Sequence, residues 1–390
     1  MSHADSDVLI IPDFISYCQY PVRSNPHGQG VASASENWLL AGAHLSAKKR
    51  HAFLGLKAGS LAAMCYPDSD KDRLRVCADY MNYLFKLDDW SDEFDAEDIG
   101  SMQDCVMSAL RDPKGFETDK AVGKLAKCFF GRFVADGGPG CTQRFIDTMV
   151  LFFCAVTEQA LHRIHEDIPD LESYLTLRRD TSGCKPCFAL IEYAAGIDLP
   201  DAVLNHPSVQ FLEDAANDLV TWTNDIFSYN VEQARGDTHN LVIVAMNERG
   251  YSIQEAINFV GDLCKDTIDS FNSVRRSLPS WGPEIDRQVE QYVDGLQNWI
   301  IGSLHWSFET KRYFGDRGQD VKKNLAVKLL PKKTQNSVQK PSISITLLHP
   351  LLRFLSGIML ITLLSYTINC LFFPSFSCIV NTVSPRLAFV

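Results

Sequence analysis

Apolar side chains return every three or four positions along most of this chain, from Ser33 to about Arg317. Val76, Tyr80, Tyr83, Leu84 and Leu87 form one such stripe. Phe145, Met149, Phe152, Phe153 and Val156 form a second, and Val293, Leu296, Ile300 and Leu304 a third. A period near 3.6 gathers such residues on one helix face, which is then buried. The stripes are separated by "CYPDSD", "DPKG", "DGGPG", "GIDLPD", "NERGYS" and "LPSWGP", whose prolines, glycines and turn-forming polar residues end helices. No strand-like alternation and no glycine-rich strand-to-helix turn interrupts the series. The pattern predicts an all-α body of about ten or more helices. Ahead of it, residues 1–30 contain Pro12, Pro21, Pro26, Gly28 and Gly30 and read as an irregular strap.

The far end of the chain departs from this pattern. A basic linker over 321–343 leads into an apolar tail, 344–390. Within it "FLSGIMLITLLSYTINCLFF" (354–373) runs 20 residues without a charge, enough to cross a bilayer core. The lysines and Arg353 upstream would keep the body on the cytoplasmic side. The tail therefore reads either as a membrane anchor or, given Pro374 and the unpatterned "SCIVNTVSPRLAFV", as an artefact of the gene model. Either way, residues 31–320 are expected to be the functional domain.

Charge sharpens that division. The 390 residues carry a net −11, yet residues 321–390 hold eight basic and no acidic side chains. Residues 1–320 are left with 29 basic against 48 acidic, a net −19, which argues against a nucleic-acid partner. The twelve cysteines are scattered, in a chain too long to need disulfide staples. "MSHADSDVLIIPDF" lacks the basic and apolar regions of a signal peptide. A reducing, cytoplasmic setting with free thiols is expected. Cys184 and Cys187 form a C-x-x-C without the second pair that a zinc site requires.

Four stretches carry candidate chemistry. "LDDWSDEFD" puts Asp88 and Asp92 one helical turn apart, with Asp89 turned aside. Crowded carboxylates repel, so the face is either fully wet or offset by a hard cation such as Mg²⁺. It does not fit an EF-hand, since Trp90 stands at the third loop position and the sixth is not Gly. "NDIFSYNVEQARGDTHN" sets Asn224, Ser228 and Glu232 four apart, with Arg235 almost a turn further on. That is a polar helix face, or three hard oxygen donors for one ion beside an anion-binding arginine. "YLTLRRDTSG" places Arg178 and Arg179 ahead of a small-residue break at Ser182–Gly183, where a helix can kink. "WSFETKRYF" places Arg312 beside Tyr313. Arginine and a phenol suit phosphate recognition, although either arginine alone also suits a surface ion pair.

Taken together, these stretches resemble the class I terpene synthases, specifically the fungal, basidiomycete-type sesquiterpene cyclases, over residues 10–317. Asp88, Asp89 and Asp92 match the family's aspartate-rich motif, and Asn224, Asp225, Ser228 and Glu232 its NSE motif. Arg178, 46 residues before Asn224, falls at the pyrophosphate-sensing position. Arg235 lies in the "RGDTHN" run, and Arg312–Tyr313 is the C-terminal pair. The linker and effector positions would fall on Thr181 and Ser182, which depart from the usual pattern. The apolar tail departs from it too.

The resemblance implies an α-helical barrel around an apolar pocket and a diphosphate-releasing carbon–oxygen lyase. Farnesyl diphosphate would be ionised with three Mg²⁺ ions. Asp88 and Asp92 would hold two of them, and Asn224, Ser228 and Glu232 the third. Arg178, Arg235, Arg312 and Tyr313 would grip the diphosphate, with Phe85 and Trp306 as aromatic pocket walls. Two other readings stay open at this point. One is a chain-elongating prenyltransferase, which would be expected to carry two aspartate-rich motifs. The other is a non-enzymatic, tail-anchored helical protein.

Overall fold

A computed structural model describes residues 8–332, apart from 94, 95 and 166 and the side chains of 92, 93, 96 and 97. The apolar tail with its 354–373 segment, and the linker beyond 332, lie outside the described residues. Strand β1 (Val8–Ile10) and helix α1 (Phe14–Tyr17) come first. Helices α2 (Gly28–Ala43), α3 (Ala47–Leu56), α4 (Ala58–Cys65) and α5 (Lys71–Glu93) follow. Next are α6 (Ala96–Arg111), α7 (Ala121–Asp136), α8 (Pro139–His165), α9 (Leu171–Thr181) and α10 (Cys184–Ala195). Then come α11 (Asp201–Leu204), α12 (Pro207–Arg235), α13 (Leu241–Arg249), α14 (Ile253–Arg276) and α15 (Pro283–Ser307). The series closes with α16 (Lys311–Phe314), a single 3₁₀ turn, α17 (Gly318–Asn324) and strand β2 (Ala326–Lys328).

The stripes read from the sequence are the buried faces. Tyr80 and Tyr83 of α5 meet Phe129 of α7, and Tyr80 also meets Phe145 of α8, at ring separations of 4.9–5.5 Å. Burying each such ring stabilises the fold by roughly 1.5–3 kcal/mol. Helix α12 packs on α14 and α15, and α5 packs on α2 and α4. Among the described residues one helix, α8, is long and apolar enough to cross a membrane. Here it packs against α9 and α10 and buries Phe145, Met149, Phe152 and Phe153.

Two boundaries set the site. Helix α9 stops at Ser182, and Gly183 turns into the left-handed region (φ 69°) before α10 starts. A Cβ at Gly183 would come within 2.9 Å of Leu84, so the kink expected at Ser182–Gly183 needs glycine. Helix α12 starts with Pro207 in its first turn and ends at the left-handed Gly236 (φ 83°).

The chain ends differ from the sequence reading. The strap holds β1 and α1, and β1 pairs antiparallel with β2. Three-residue strands are too short to show alternation, which is why no pairing was legible. The break expected at residue 320 falls inside α17, and Val321 and Val327 beyond it are buried. Lysine-rich composition imitates a linker there, although these lysines alternate with residues that pack on the body.

Candidate active site

Helix α12 carries the central residues, and Asp225 organises them. Asp225 is 1% exposed, and both of its carboxylate oxygens are fully occupied. Oδ1 accepts from Arg178 Nε (3.1 Å) and Nη2 (2.9 Å). Oδ2 accepts from the Tyr174 hydroxyl (2.6 Å) and the Leu241 backbone N–H (3.0 Å). A carboxylate so satisfied has no lone pair left for an ion, so Asp225 aims Arg178 instead. Its neighbour Arg179 is drawn away, with Nε and Nη2 on the two oxygens of Asp218 at 2.8 and 2.6 Å. Of the two adjacent arginines, only Arg178 reaches the Asn224 side chain, donating from Nη2 to Oδ1 at 3.0 Å.

The three oxygen donors have unequal surroundings. Asn224 donates from Nδ2 to the Tyr313 hydroxyl oxygen at 2.6 Å. Ser228 is buried, and its Oγ has no hydrogen-bond partner among the described residues. Burial pushes the Glu232 carboxyl up to about 7, with the charge of Asp225 adding to the effect. The Asn240 amide favours the charged form. A buried hydroxyl without a partner and a carboxylate short of positive charge, on one helix face, fit a hard divalent cation. A softer metal is not suggested by an amide, a hydroxyl and a carboxylate.

Helix α5 presents the acidic motif opposite. Asp88 accepts from Arg312 Nη2 at 3.3 Å. Asp89 is more exposed and accepts from Lys86 Nζ at 3.4 Å. Lys86 itself is buried, with its ammonium 5.0 Å from the centre of the Trp90 ring. Asp92 lies in the last turn of α5. Short helix α16 then joins the two motifs, since Arg312 reaches Asp88 and Tyr313 reaches Asn224. Burial pushes the Tyr313 phenol up to about 12, which keeps it a neutral donor. The charge of Glu232 is also felt at Arg178, Arg312 and Tyr313.

The two aromatic candidates sit beneath this junction. Phe85 is half-buried, lies 5.6 Å from Trp306, and has the Arg312 guanidinium 5.6 Å over its ring. Trp306 is 3% exposed, and its Nε1 donates to the carbonyls of Leu56 and Lys57. Trp306 is therefore tied into the fold and packs edge-on to Tyr313 at 5.9 Å. Arg235 is exposed at the end of α12 and has no partner among the described residues. At the α9–α10 kink, Thr181 Oγ1 donates to the Arg178 carbonyl at 3.4 Å. Ser182 Oγ there donates to Asn217 Oδ1 at 3.0 Å, tying the kink to α12.

Two residues join the site that the sequence did not single out. Asn240, fully buried, donates from Nδ2 to Glu232 Oε2 (2.8 Å) and to the Asp225 carbonyl (2.7 Å). Its Oδ1 accepts from Val242 N and caps α13. An asparagine ahead of the apolar run "LVIVA" was a readable cap signal, but its reach back to Glu232 was not. Tyr174 anchors Asp225 from α9. By contrast, Cys184 and Cys187 are buried free thiols on α10. Burial pushes Cys184 up to about 11, and no group of three or more His, Cys, Asp or Glu among the described residues is placed to hold a metal.

Residues 79–270 match the family model described as terpene synthase family 2, C-terminal metal binding. Sesquiterpene synthase 1 of Postia placenta is 54% identical over 325 residues, covering 83% of this chain and 96% of the relative. Alpha-muurolene synthase of Coprinopsis cinerea is 51% identical over 330 residues, covering 83% and 78%. The crystal structure of germacradien-4-ol synthase from Streptomyces citricolor superposes with a TM-score of 0.65 at 27% identity, over 74% of this chain and 96% of that one. With Arg178, Asn224, Tyr313, Arg312 and Asp88 already joined in space, this chain belongs to the class I terpene synthases as a sesquiterpene cyclase of the fungal type.

Proposed function

We propose that the protein converts (2E,6E)-farnesyl diphosphate to a cyclic sesquiterpene and diphosphate in a Mg²⁺-dependent reaction. The observation that carries this reading is the single junction of Arg178, Asn224, Tyr313, Arg312 and Asp88, with the unpartnered Ser228 hydroxyl on the same helix as Asn224. Asp88 and Asp92 would hold two ions, and Asn224, Ser228 and Glu232 the third. Bound there, the ions supply Lewis acidity that offsets the charge growing on the departing diphosphate.

The chain's own residues do the rest. Arg178, oriented by Asp225 through Nε and Nη2, keeps Nη1 for the diphosphate oxygens, and Arg312 supplies a second guanidinium to them. Tyr313 accepts from Asn224, which leaves its O–H free to donate. Arg235, one turn beyond Glu232, adds a further charge. Preorganised donors cost no rearrangement as the C–O bond breaks. The allylic cation left behind must be kept from water, and the Phe85 ring face can stabilise it. The catalytic domain would be residues 31–320, extended by the segment that carries the buried Val321 and Val327.

Incubating the full-length protein with geranyl, farnesyl and geranylgeranyl diphosphate, with and without Mg²⁺, tests the reading by gas chromatography–mass spectrometry. Cyclic C15 hydrocarbons from farnesyl diphosphate with Mg²⁺ only are expected. Elongated products on adding isopentenyl diphosphate would assign the chain to prenyl transfer instead.

A further inference from the structure

Two three-residue strands have little to hold them in place, and both outer edges of the β1–β2 ribbon would leave backbone groups unpaired. Side-chain amides from two helices fill those edges. On the β1 side, Ile10 N donates to Gln254 Oε1 (2.9 Å), and Gln254 Nε2 donates to Ile10 O (2.8 Å). On the β2 side, Asn230 Nδ2 donates to Lys328 O (2.9 Å), and Leu330 N donates to Asn230 Oδ1 (2.8 Å). Gln233 Nε2 adds a bond to Leu330 O (2.9 Å). Each of Asn230 and Gln254 thus acts as a one-residue strand, donating and accepting together. The inward side chains Leu9 and Val327 are buried beneath the ribbon.

The position of this clip on α12 is the informative part. Asn230 is buried and lies two residues from Ser228 and two from Glu232. At about 100° per residue it points roughly opposite to both. The donors face the site while Asn230 faces the ribbon. Glu232 also lies in the last turn of α12, where carbonyls run out of helical partners and the helix frays most readily. From within, Asn240 holds this turn. From outside, Asn230 and Gln233 fasten the same turn to a ribbon that is itself anchored on α14 through Gln254.

We propose that the β1–β2 ribbon is a brace for the metal-binding turn of α12, and that Asn230 is a positioning residue for Ser228 and Glu232. This rests on the reading of those two residues as ion ligands. Loosening the brace should weaken ion binding while leaving the helices formed.

The test uses the full-length protein with Asn230→Asp and Gln254→Ala. Asn230→Asp sets an oxygen against the Lys328 carbonyl, and Gln254→Ala releases the ribbon from the other side without touching α12. Backbone amide exchange at 326–330 reports release of the ribbon. The Mg²⁺-induced rise in melting temperature, titrated without substrate, reports the ion site. The expected result is faster exchange in both variants, with unchanged helical circular dichroism. The half-saturating Mg²⁺ concentration should rise about tenfold in Asn230→Asp, as for other residues that orient a ligand, and less in Gln254→Ala. If Asn230→Asp does not fold, Gln254→Ala decides alone.

Faster exchange with Mg²⁺ titration within twofold of wild type overturns the proposal. Unchanged exchange in both variants overturns it as well, because the amide bonds then do not hold the ribbon. A wild type without any Mg²⁺-induced shift removes the ligand reading and the brace with it. A wild type that shifts with Mg²⁺ but forms no product from farnesyl diphosphate removes only the substrate assignment.

Discussion

Replacing Asp225 by Asn removes one charge and keeps the shape, which makes it a sharp probe of the arrangement around Arg178. The carboxylate takes four hydrogen bonds, two from Arg178, one from Tyr174 and one from Leu241 N. An asparagine can turn its oxygen towards Arg178, and the Tyr174 hydroxyl can reverse to accept from the new amide. Leu241 N cannot reverse and is left facing N–H groups. A buried donor left unsatisfied costs roughly 1–3 kcal/mol, and breaking a buried ion pair from one side about 3–5 kcal/mol. Because these overlap, a loss of about 4 kcal/mol is expected, or about 5 °C in melting temperature for a chain of this size. Thermal melts followed by circular dichroism in metal-free buffer measure it. Tyr174→Phe should cost less, and the double variant should lose less than the sum of the two, since they share one carboxylate. A melting temperature within about 2 °C of wild type for Asp225→Asn would refute the claim that this residue organises the site.

Three further outcomes follow from the same geometry. Ser228→Ala removes a buried hydroxyl that has no partner, so metal-free stability should stay level or rise slightly while Mg²⁺-dependent turnover falls; a loss above about 1 kcal/mol in urea unfolding would contradict this. Asn224→Ala and Glu232→Gln should each remove more than about 99% of turnover with helical content intact, and near-normal product formation in both would refute the ion assignment. Glu213 lines a cavity of about 400 Å³ together with Lys185 and Tyr292, and burial, then Asp214, pushes its carboxyl up to about 7 from 4.5. A folded-state value above the unfolded one favours folding at low pH, and this contribution is lost as pH rises through about 7. Glu213→Gln should therefore gain on wild type between pH 5 and 8, by up to about 3 kcal/mol, and a difference flat with pH in urea titrations would refute it.

The helical period made most of the fold legible, because one-sided burial writes itself into spacing. The candidate site was legible where chemistry repeats at that same spacing, as with Asn224, Ser228 and Glu232 on α12. What escaped was carried by contacts across loops. Asn240 reaches Glu232 from beyond the end of α12, and Tyr174 and Arg178 converge on Asp225 from another helix. Spacing along the chain holds no record of such closures. The ribbon escaped because its strands are three residues long, and its outer edges are met by amide side chains that elsewhere are ordinary surface residues. Trp306 illustrates the limit of aromatic residues as signals: its place near Arg312 was apparent, but its anchorage on the carbonyls of Leu56 and Lys57 was not.

The bond from Arg178 to Asn224 Oδ1 has an energetic corollary. That neutral amide oxygen attracts the guanidinium and would attract a divalent ion as well. Two cations gathered at one uncharged atom repel each other, and nothing in the amide compensates them. An anion between them reverses the sign of the encounter, turning competitors into joint ligands of a third party. Ion affinity at this turn should consequently be modest alone and much higher with diphosphate. By reciprocity, diphosphate affinity must rise by the same factor when the ion is present. On the proposed ion assignment, the arginine would act as a placeholder whose displacement links the loading of metal to the arrival of substrate.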